Sequence, residues 1–522
     1  MNSFKMHLIT LSFLGLSSFF GQASGGKILL LPSMINSHIL MMTSLVEPLK
    51  ARGHVVYLAM DANMKPLSDV EKSHVRIIKY KSEHPPLFET EAYQRTLFAL
   101  ALEWTVGNWI EAAKSGLNAF TDNCETVLQN KKFFTDVKKE NFDFIVVGGP
   151  GPLRCLFIIP HRLGVPFASL SSAHLFDLRA IGIQAPFLVP GFEAHDQTTL
   201  TMAGKLKKLA VYVASHTLLE LSSQTYSPDR PFSSLHEVAN RASLFLYDTA
   251  RVFDTPIPLS PNVIHVGGLT TRKPEPLAPG TVRTFLDGAD DGFILVSFGG
   301  VVKFFPEHVV RILIDAFATI KFRVLFKISK SVIPDDVTVP GNVLTQNWIP
   351  QKGILGHKNI KLFITHSGSG GQHEALYSAV PMLGIPIFAD QIYNSQRMQS
   401  IAFGRHLGLD VISKEKLLEL IYEVVQNQTY KQNIEKASEL FRDQPMTPSE
   451  TGAYWIDHVI KHGDDHLKSA TNNFSWVQIL MIDVLAVVVI IIFLSVLLSG
   501  CAIRCSYRLL CRNRQERKLK MK

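Results

Sequence analysis

The chain has 522 residues, 46% hydrophobic and 19% charged, which rules out a disordered chain. At about 100–200 residues per domain the length supports two to four domains with large cores. The net charge of +8 does not mark a nucleic-acid binder, because eight lysines and arginines from Arg504 to Lys522 stand against Glu516 alone and leave the rest of the chain close to neutral.

Residues 1–23 read as a signal peptide, with Lys5 as the basic start, an apolar stretch over 8–20 and Gly21-Gln22-Ala23 as a small-residue cleavage site. Within 24–255, apolar runs at Lys27–Leu31, 55–60, 75–80, 142–147 and 166–170 predict buried parallel strands. Helical patterns lie between them, at 39–51 and over a long stretch from 91 to 137. A loop over 177–199 leads to a helix near 203–224, and strand patterns return at 243–247 and 263–266. The proline-rich stretch within 256–281 predicts an interdomain linker. A second series fills 282–447, with strands at 293–298, 322–327, 343–348, 362–365 and 382–388 and helices at 307–319, 371–378 and 395–403. Two alternating series predict an α/β protein of two Rossmann-like, doubly wound domains facing a cleft, with ligands at the carboxyl ends of the strands.

Residues 448–482 predict a helix that packs back on the domains and then approaches a membrane. The uncharged stretch 484–503 is long enough to cross about 30 Å of hydrocarbon. Asp483 at one edge and the basic stretch 504–522 at the other place the tail in the cytosol and residues 24–475 in the lumen. The last residues, Lys518-Leu519-Lys520-Met521-Lys522, resemble a dilysine retrieval signal, so a single-pass type I protein of the endoplasmic reticulum is expected. Cys501, Cys505 and Cys511 cluster at the cytosolic face; Cys124 and Cys155 either pair or leave Cys155 as core. Asn427-Gln428-Thr429 and Asn473-Phe474-Ser475 are glycosylation sequences. No metal-ligand spacing and no Asp-x-Asp triplet occurs, so no metal is expected.

Chemistry concentrates between Trp348 and Gln391. The strand 362–365 runs into His366-Ser367-Gly368-Ser369-Gly370-Gly371, a small-residue loop opening a helix. Backbone N–H groups there, with the helix dipole, form a phosphate cradle to which His366 adds a charge-assisted donor. Trp348 offers a flat face for a base, Glu374 an acceptor for ribose hydroxyls, and Asp390 and Gln391 groups for sugar hydroxyls. In the first half, strand 27–31 ends at Pro32, and Asn36 or Ser37 suits a helix N-cap. His38 then sits at a helix N-terminus in the cleft, where the dipole favours a neutral ring able to take a proton.

These features resemble the UDP-glycosyltransferase family that includes the UDP-glucuronosyltransferases. Carrying the resemblance are Trp348-Ile349-Pro350-Gln351, the 365–375 and 381–391 blocks, Pro261-Asn262-Val263-Ile264-His265-Val266-Gly267-Gly268 and Gly292-Phe293-Ile294-Leu295-Val296-Ser297-Phe298-Gly299-Gly300. It implies a two-domain GT-B fold, with the acceptor site in 24–255 and the UDP-sugar site in 282–447. It assigns UDP to Trp348, Gln351, His366, Gly368, Ser369, Gly370, Gly371, Glu374, Ser297 and Gly299, the sugar to Asp390 and Gln391, and the catalytic base to His38. His38 would take the proton of a hydroxyl attacking the anomeric carbon as UDP leaves, with inversion and no cofactor besides the UDP-sugar substrate. Implied partners are a UDP-sugar, a small lipophilic acceptor and the membrane, with no nucleic acid; the resemblance also allows association with further copies or with relatives.

Three positions depart from the family pattern. Gly148-Gly149-Pro150-Gly151-Pro152 stands where an acidic residue usually orients the base histidine. Ser367 replaces a loop glycine and Gly370 a loop asparagine, and Gly300 stands where a serine is usual. A second reading of a different class is therefore a member that binds UDP-sugar, or partners active relatives, without transferring. A third is a two-lobed carrier or receptor with no UDP site. The arginine that faces the glucuronate carboxylate in the mammalian enzymes corresponds to Tyr247, which favours a neutral hexose such as glucose, with Arg251 close by as a substitute. Phe98, Leu100, Trp104, Trp109 and Phe187-Leu188-Val189-Pro190 suggest an apolar acceptor lining.

Overall fold

The computed structural model describes residues 25–520 except 34, 65–66, 83–89, 104–110, 112–125, 149–154, 173–237, 240, 254–258, 301, 303 and 469–480, with side chains to Arg512. The signal-peptide, 177–199 and 203–224 readings lie outside these residues, as do Trp104, Trp109, 187–190, Cys124 and Asn473.

Two all-parallel sheets organise the chain. The first contains β1 (Lys27–Leu31), β2 (Val55–Asp61), β3 (Arg76–Tyr80), β4 (Phe144–Gly148), β5 (Phe167–Ser171), β6 (Leu244–Tyr247) and β7 (Val263–His265), in the order β3-β2-β1-β4-β5-β6-β7. The second contains β8 (Phe293–Ser297), β9 (Arg323–Lys327), β10 (Val343–Gln346), β11 (Ile360–Thr365), β12 (Met382–Gly384) and β13 (Gly404–His406), in the order β10-β9-β8-β11-β12-β13. Uninterrupted runs such as Ile28-Leu29-Leu30-Leu31 and Phe293-Ile294-Leu295-Val296 suit this arrangement, because helices cover both faces of a parallel sheet and every side chain is buried. Each sheet reverses its winding once, between β1 and β4 and between β8 and β11. β13 was not expected, having no apolar run; its Gly404–His406 backbone pairs with Met382–Gly384.

The helical pattern at 39–51 divides into α1 (Asn36–Thr43) and α2 (Val46–Ala51). Pro48, without an N–H, cannot continue the hydrogen-bond ladder of α1 and instead occupies the first turn of α2. The long stretch from 91 holds α3 (Glu91–Leu102). Its Phe98 is not a lining residue: it packs across the lobes onto Phe304 and Phe305, at ring centroids of 6.0 and 5.5 Å, within the core of the second sheet. Gln94, one turn earlier, accepts from the Phe304 N–H at 2.9 Å.

The second lobe contributes α4 (Gln351–Leu355), α5 (Ser369–Tyr377), α6 (Gln391–Ser400) and α7 (Gln428–Arg442), after which α8 (Pro448–His462) returns to the first lobe. Thr447 and Glu450 form a capping box ahead of Pro448, which starts α8 sharply. Ala453, Ile456 and Val459 share one core with Leu45, Val46 and Leu49. Asp457 fastens the contact: Lys461 Nζ lies 2.8 Å and Arg52 Nη1 3.7 Å from one carboxylate oxygen, and His54 Nε2 lies 3.1 Å from the other. The Gly26 N–H donates to His54 Nδ1 at 3.0 Å, which leaves Nε2–H to donate to Asp457.

The chain therefore crosses between lobes twice, in the linker and again between α7 and α8, and the crossings meet. A Cβ on Gly268 would stand 2.6 Å from Phe441 Cζ. Phe441 stacks on His373 of α5, at 6.0 Å and 9°. Asp248, at the end of β6, accepts from the Gly268 and Leu269 N–H groups at 2.7 and 3.1 Å. Beyond lies α9 (Ile482–Lys520), whose stretch Ile482–Arg512 is long and apolar enough to cross a membrane and is not buried by any of the described residues. Cys155 is disulfide-bonded, with its partner outside the described residues, whereas Cys501, Cys505 and Cys511 are free.

Candidate active site

Both winding reversals carry candidate residues, as the crevice rule for doubly wound sheets requires. At the first, Leu31 of β1 pairs with Val147 of β4, which sets Pro32 and Ser33 beside Gly148. Ile35, not Asn36 or Ser37, occupies the cap position of α1 and no side chain caps it; Asn36 is already the first helical residue. The Ile35 N–H donates to Ser33 C=O at 2.8 Å in a tight turn that leads into the helix, and the His38 N–H donates to the Ile35 C=O at 3.0 Å. His38 stays in the first helical turn, half-buried, with its Nδ1 hydrogen-bonded to Ser33 Oγ. Burial lowers its pKa from 6.5 to about 4, so the ring is neutral at physiological pH. Of the Gly148–Pro152 stretch, Gly148 alone is described, fully buried at the end of β4.

At the second reversal, register aligns the strand ends: Ser297 pairs with Thr365 on one side and Lys327 on the other. His366 follows Thr365 and its ring is held between two glycines. A Cβ at Gly299 would come within 2.8 Å of the ring and one at Gly368 within 2.5 Å, so the ring fits because both positions lack a side chain. Burial, then the charge of Lys327, lowers the His366 pKa to about 4. In the protein alone the His366 ring is therefore neutral at physiological pH and still able to donate one hydrogen bond.

Ser367 takes φ 65°, the left-handed region where glycine is at ease, and Asn394 Nδ2 donates to its carbonyl at 3.1 Å. Gly368 is the cap residue of α5 with no side chain on the first-turn N–H groups of Ser369, Gly370 and Gly371. Those donors point from a helix N-terminus, the arrangement that suits a diphosphate. A Cβ at Gly370 would meet only Thr270 Oγ1, at 3.9 Å. Ser369 Oγ donates to the Asp248 carbonyl at 3.1 Å, which joins the loop to the interlobe crossing.

Trp348 is 73% exposed, an open aromatic face. Gln351 Nε2 donates to Glu374 at 2.7 Å, bringing the residues expected at base and ribose together. Burial raises the Glu374 pKa against the pull of Lys352, Arg272 and Lys327. Lys327 was not anticipated. Its Nζ donates to the Gly299 carbonyl at 2.9 Å and lies 5.0 Å from the Trp348 ring centroid. The available signal was a lysine closing the apolar run Phe322-Arg323-Val324-Leu325-Phe326, at the ligand edge of a parallel sheet. Asp390 and Gln391 turn inward: Gln391 Oε1 accepts from the Ile387 and Phe388 N–H groups at 2.9 and 3.1 Å, and Asp390 accepts from Asn394 at 2.8 Å. Burial raises the Asp390 pKa. Tyr247 is buried in the first core, while Arg251 is exposed.

Two doubly wound lobes, with an aromatic face, a cationic strand edge and an uncapped helix N-terminus at a winding reversal, make up the two-lobed fold of the GT-B class. The family profile described as "UDP-glucoronosyl and UDP-glucosyl transferase" matches residues 26–517, and the chain belongs to that family. It is 30% identical over 493 residues to 2-hydroxyacylsphingosine 1-beta-galactosyltransferase of Rattus norvegicus, covering 90% of this chain and 87% of the relative. It is 28% identical over 494 residues to UDP-glucuronosyltransferase 2B17 of Homo sapiens, with 90% and 91% covered. Among solved structures, the glycotransferase of kitacinnamycin matches 84% of this chain and 99% of its own, at a TM-score of 0.59 and 16% identity. The calicheamicin glycosyltransferase CalG4 matches 83% and 97%, at 0.54 and 19%. These two likenesses concern the fold.

Proposed function

We propose that the chain transfers a neutral hexose from a UDP-sugar to a hydroxyl of a small lipophilic acceptor, with inversion. The observation that carries the reading is the gathering of Trp348, the Gln351–Glu374 pair, His366 and the N-terminus of α5 along one strand edge of the second lobe. Uracil stacks on Trp348 beside Gln351, Glu374 accepts from ribose, and the first-turn N–H groups of α5 with His366 and Lys327 hold the diphosphate. The acceptor oxygen attacks the anomeric carbon while His38 takes its proton; the bond to UDP breaks with its electron pair on the phosphate oxygen. Asp390 and Gln391 serve the sugar by shaping the loop before α6.

A neutral donor is favoured because Tyr247 is buried and supplies no cation for a carboxylate. The sphingosine galactosyltransferases place UDP-galactose beside UDP-glucose in the donor panel and a long-chain amino alcohol derivative among the acceptors. Full-length protein in membranes, given UDP-glucose, UDP-galactose or UDP-glucuronate with phenol, steroid and sphingoid acceptors, tests the reading by chromatography of products. Faster turnover with UDP-glucuronate overturns the donor choice. Gly148, at the place of the usual carboxylate, favours a second reading, a binder of UDP-sugar without transfer; UDP raising the melting temperature with no product from any pair would support it.

A further inference from the structure

We propose that Ser33 is the positioning residue of His38, holding in this chain the ring that a carboxylate at the end of β4 would otherwise orient. The inference rests on the transferase reading above and names a part of its machinery. Ser33 is 1% exposed, and its hydroxyl meets His38 Nδ1 across the turn that opens α1. The same residue abuts Gly148: a Cβ there would lie 3.1 Å from Pro32 Cα, 3.4 Å from Ser33 N and 2.7 Å from Met42 Cε. A side chain at Gly148 would thus press on the backbone that carries the serine by a few tenths of an ångström and would need the tip of Met42 to shift, so Gly148 leaves the Ser33 turn uncrowded.

Imidazole chemistry fixes the direction of the hydrogen bond. A base acting through Nε2 needs its proton on Nδ1, so Nδ1–H donates to Ser33 Oγ and Nε2 presents its lone pair to the acceptor hydroxyl. When that proton arrives, the new bond joins acceptor oxygen to the anomeric carbon, the bond to UDP breaks, and the imidazolium later releases its proton to water. A hydroxyl fixes the tautomer as a carboxylate does, but supplies no negative charge to the imidazolium. No charged neighbour among the described residues contributes to lowering the His38 pKa, which burial alone achieves.

The test compares full-length wild type, Ser33→Ala, Ser33→Thr and His38→Gln. Ser33→Ala is expected to lower kcat about tenfold, the rate equivalent of one hydrogen bond. KM for the UDP-sugar and the UDP-induced rise in melting temperature should not change, and Ser33→Thr should restore kcat. Independently of turnover, the side-chain 15N signals of histidine-labelled protein in detergent, assigned with His38→Gln, should show a proton on Nδ1 of His38 in wild type and a tautomer mixture in Ser33→Ala. A wild-type ring protonated on Nε2, a Ser33→Ala kcat equal to wild type, or a loss that threonine does not restore overturns the proposal. Full transfer by His38→Gln, or no transfer by wild type, instead sinks the functional reading, and the tautomer result still decides the role of Ser33.

Discussion

His38 and His366 are two imidazoles made neutral mainly by burial, one on each lobe. Each titrates near 6.5 when unfolded and near 4 when folded, so between those values the unfolded chain binds more protons. Their contribution to stability is whole above pH 6.5 and lost as pH falls toward about 4. Thermal melts across that window should show the decline, and glutamine at both positions should flatten it. Transfer should likewise persist to a lower pH than an ordinary histidine base permits, its acid limb near pH 4 in a pH–rate profile. His38→Gln should cut kcat by about 10²–10⁴ while UDP still binds, as calorimetry would read. Ser367, a side chain held at φ 65° with a buried hydroxyl that has no hydrogen-bond partner among the described residues, should give a more stable protein as Ser367→Gly, by about 1 kcal/mol in denaturant unfolding. The glycine-rich run was legible as a strand-to-helix turn, but α5 begins at Ser369 and not at the expected residue 371, so Ser369, Gly370 and Gly371 form the first helical turn. The fit of His366 between Gly299 and Gly368 was not legible, since it joins segments far apart in sequence. Ser33 stayed hidden for a related reason: a five-residue spacing does not say that the turn folds its hydroxyl onto the ring.

Among the elements, buried strands were read almost to the residue because parallel strands need unbroken apolar runs. Boundaries moved where backbone chemistry intervened. β12 ends at Gly384 and not at residue 388, because Pro386 can donate no ladder bond and Gln391 holds the next two N–H groups. The strand-end tryptophan is set by such local geometry rather than by packing. Trp348→Ala should therefore leave the melting temperature unchanged and weaken UDP binding by about tenfold or more, the measured worth of one aromatic–base stack. Helix α8 behaves oppositely. Asp457→Ala leaves His54 buried without its acceptor, and should lower stability by about 3 kcal/mol in denaturant unfolding without touching the strand-edge site.

At the scale of the whole molecule, the two-lobed architecture was legible from the double alternation of strand and helix, whereas the route of α8 back across the lobes needed coordinates. Asn427 is exposed and caps α7 through its side-chain oxygen, which leaves its amide nitrogen outward. If the lobes face the lumen, Asn427→Gln should remove a glycan and speed migration on a gel; an unchanged band would show that this sequence carries no glycan. The touching of Gly268 and Phe441 has a mechanical consequence. Two covalent threads passing side by side act as paired pins of a door, permitting a swing about the line they define and resisting twist or separation. Substrate entry and UDP departure would then follow one angular coordinate. Spin labels on the opposite rims should report distances that rise and fall together, and independent variation among several label pairs would show that the pins do not hold.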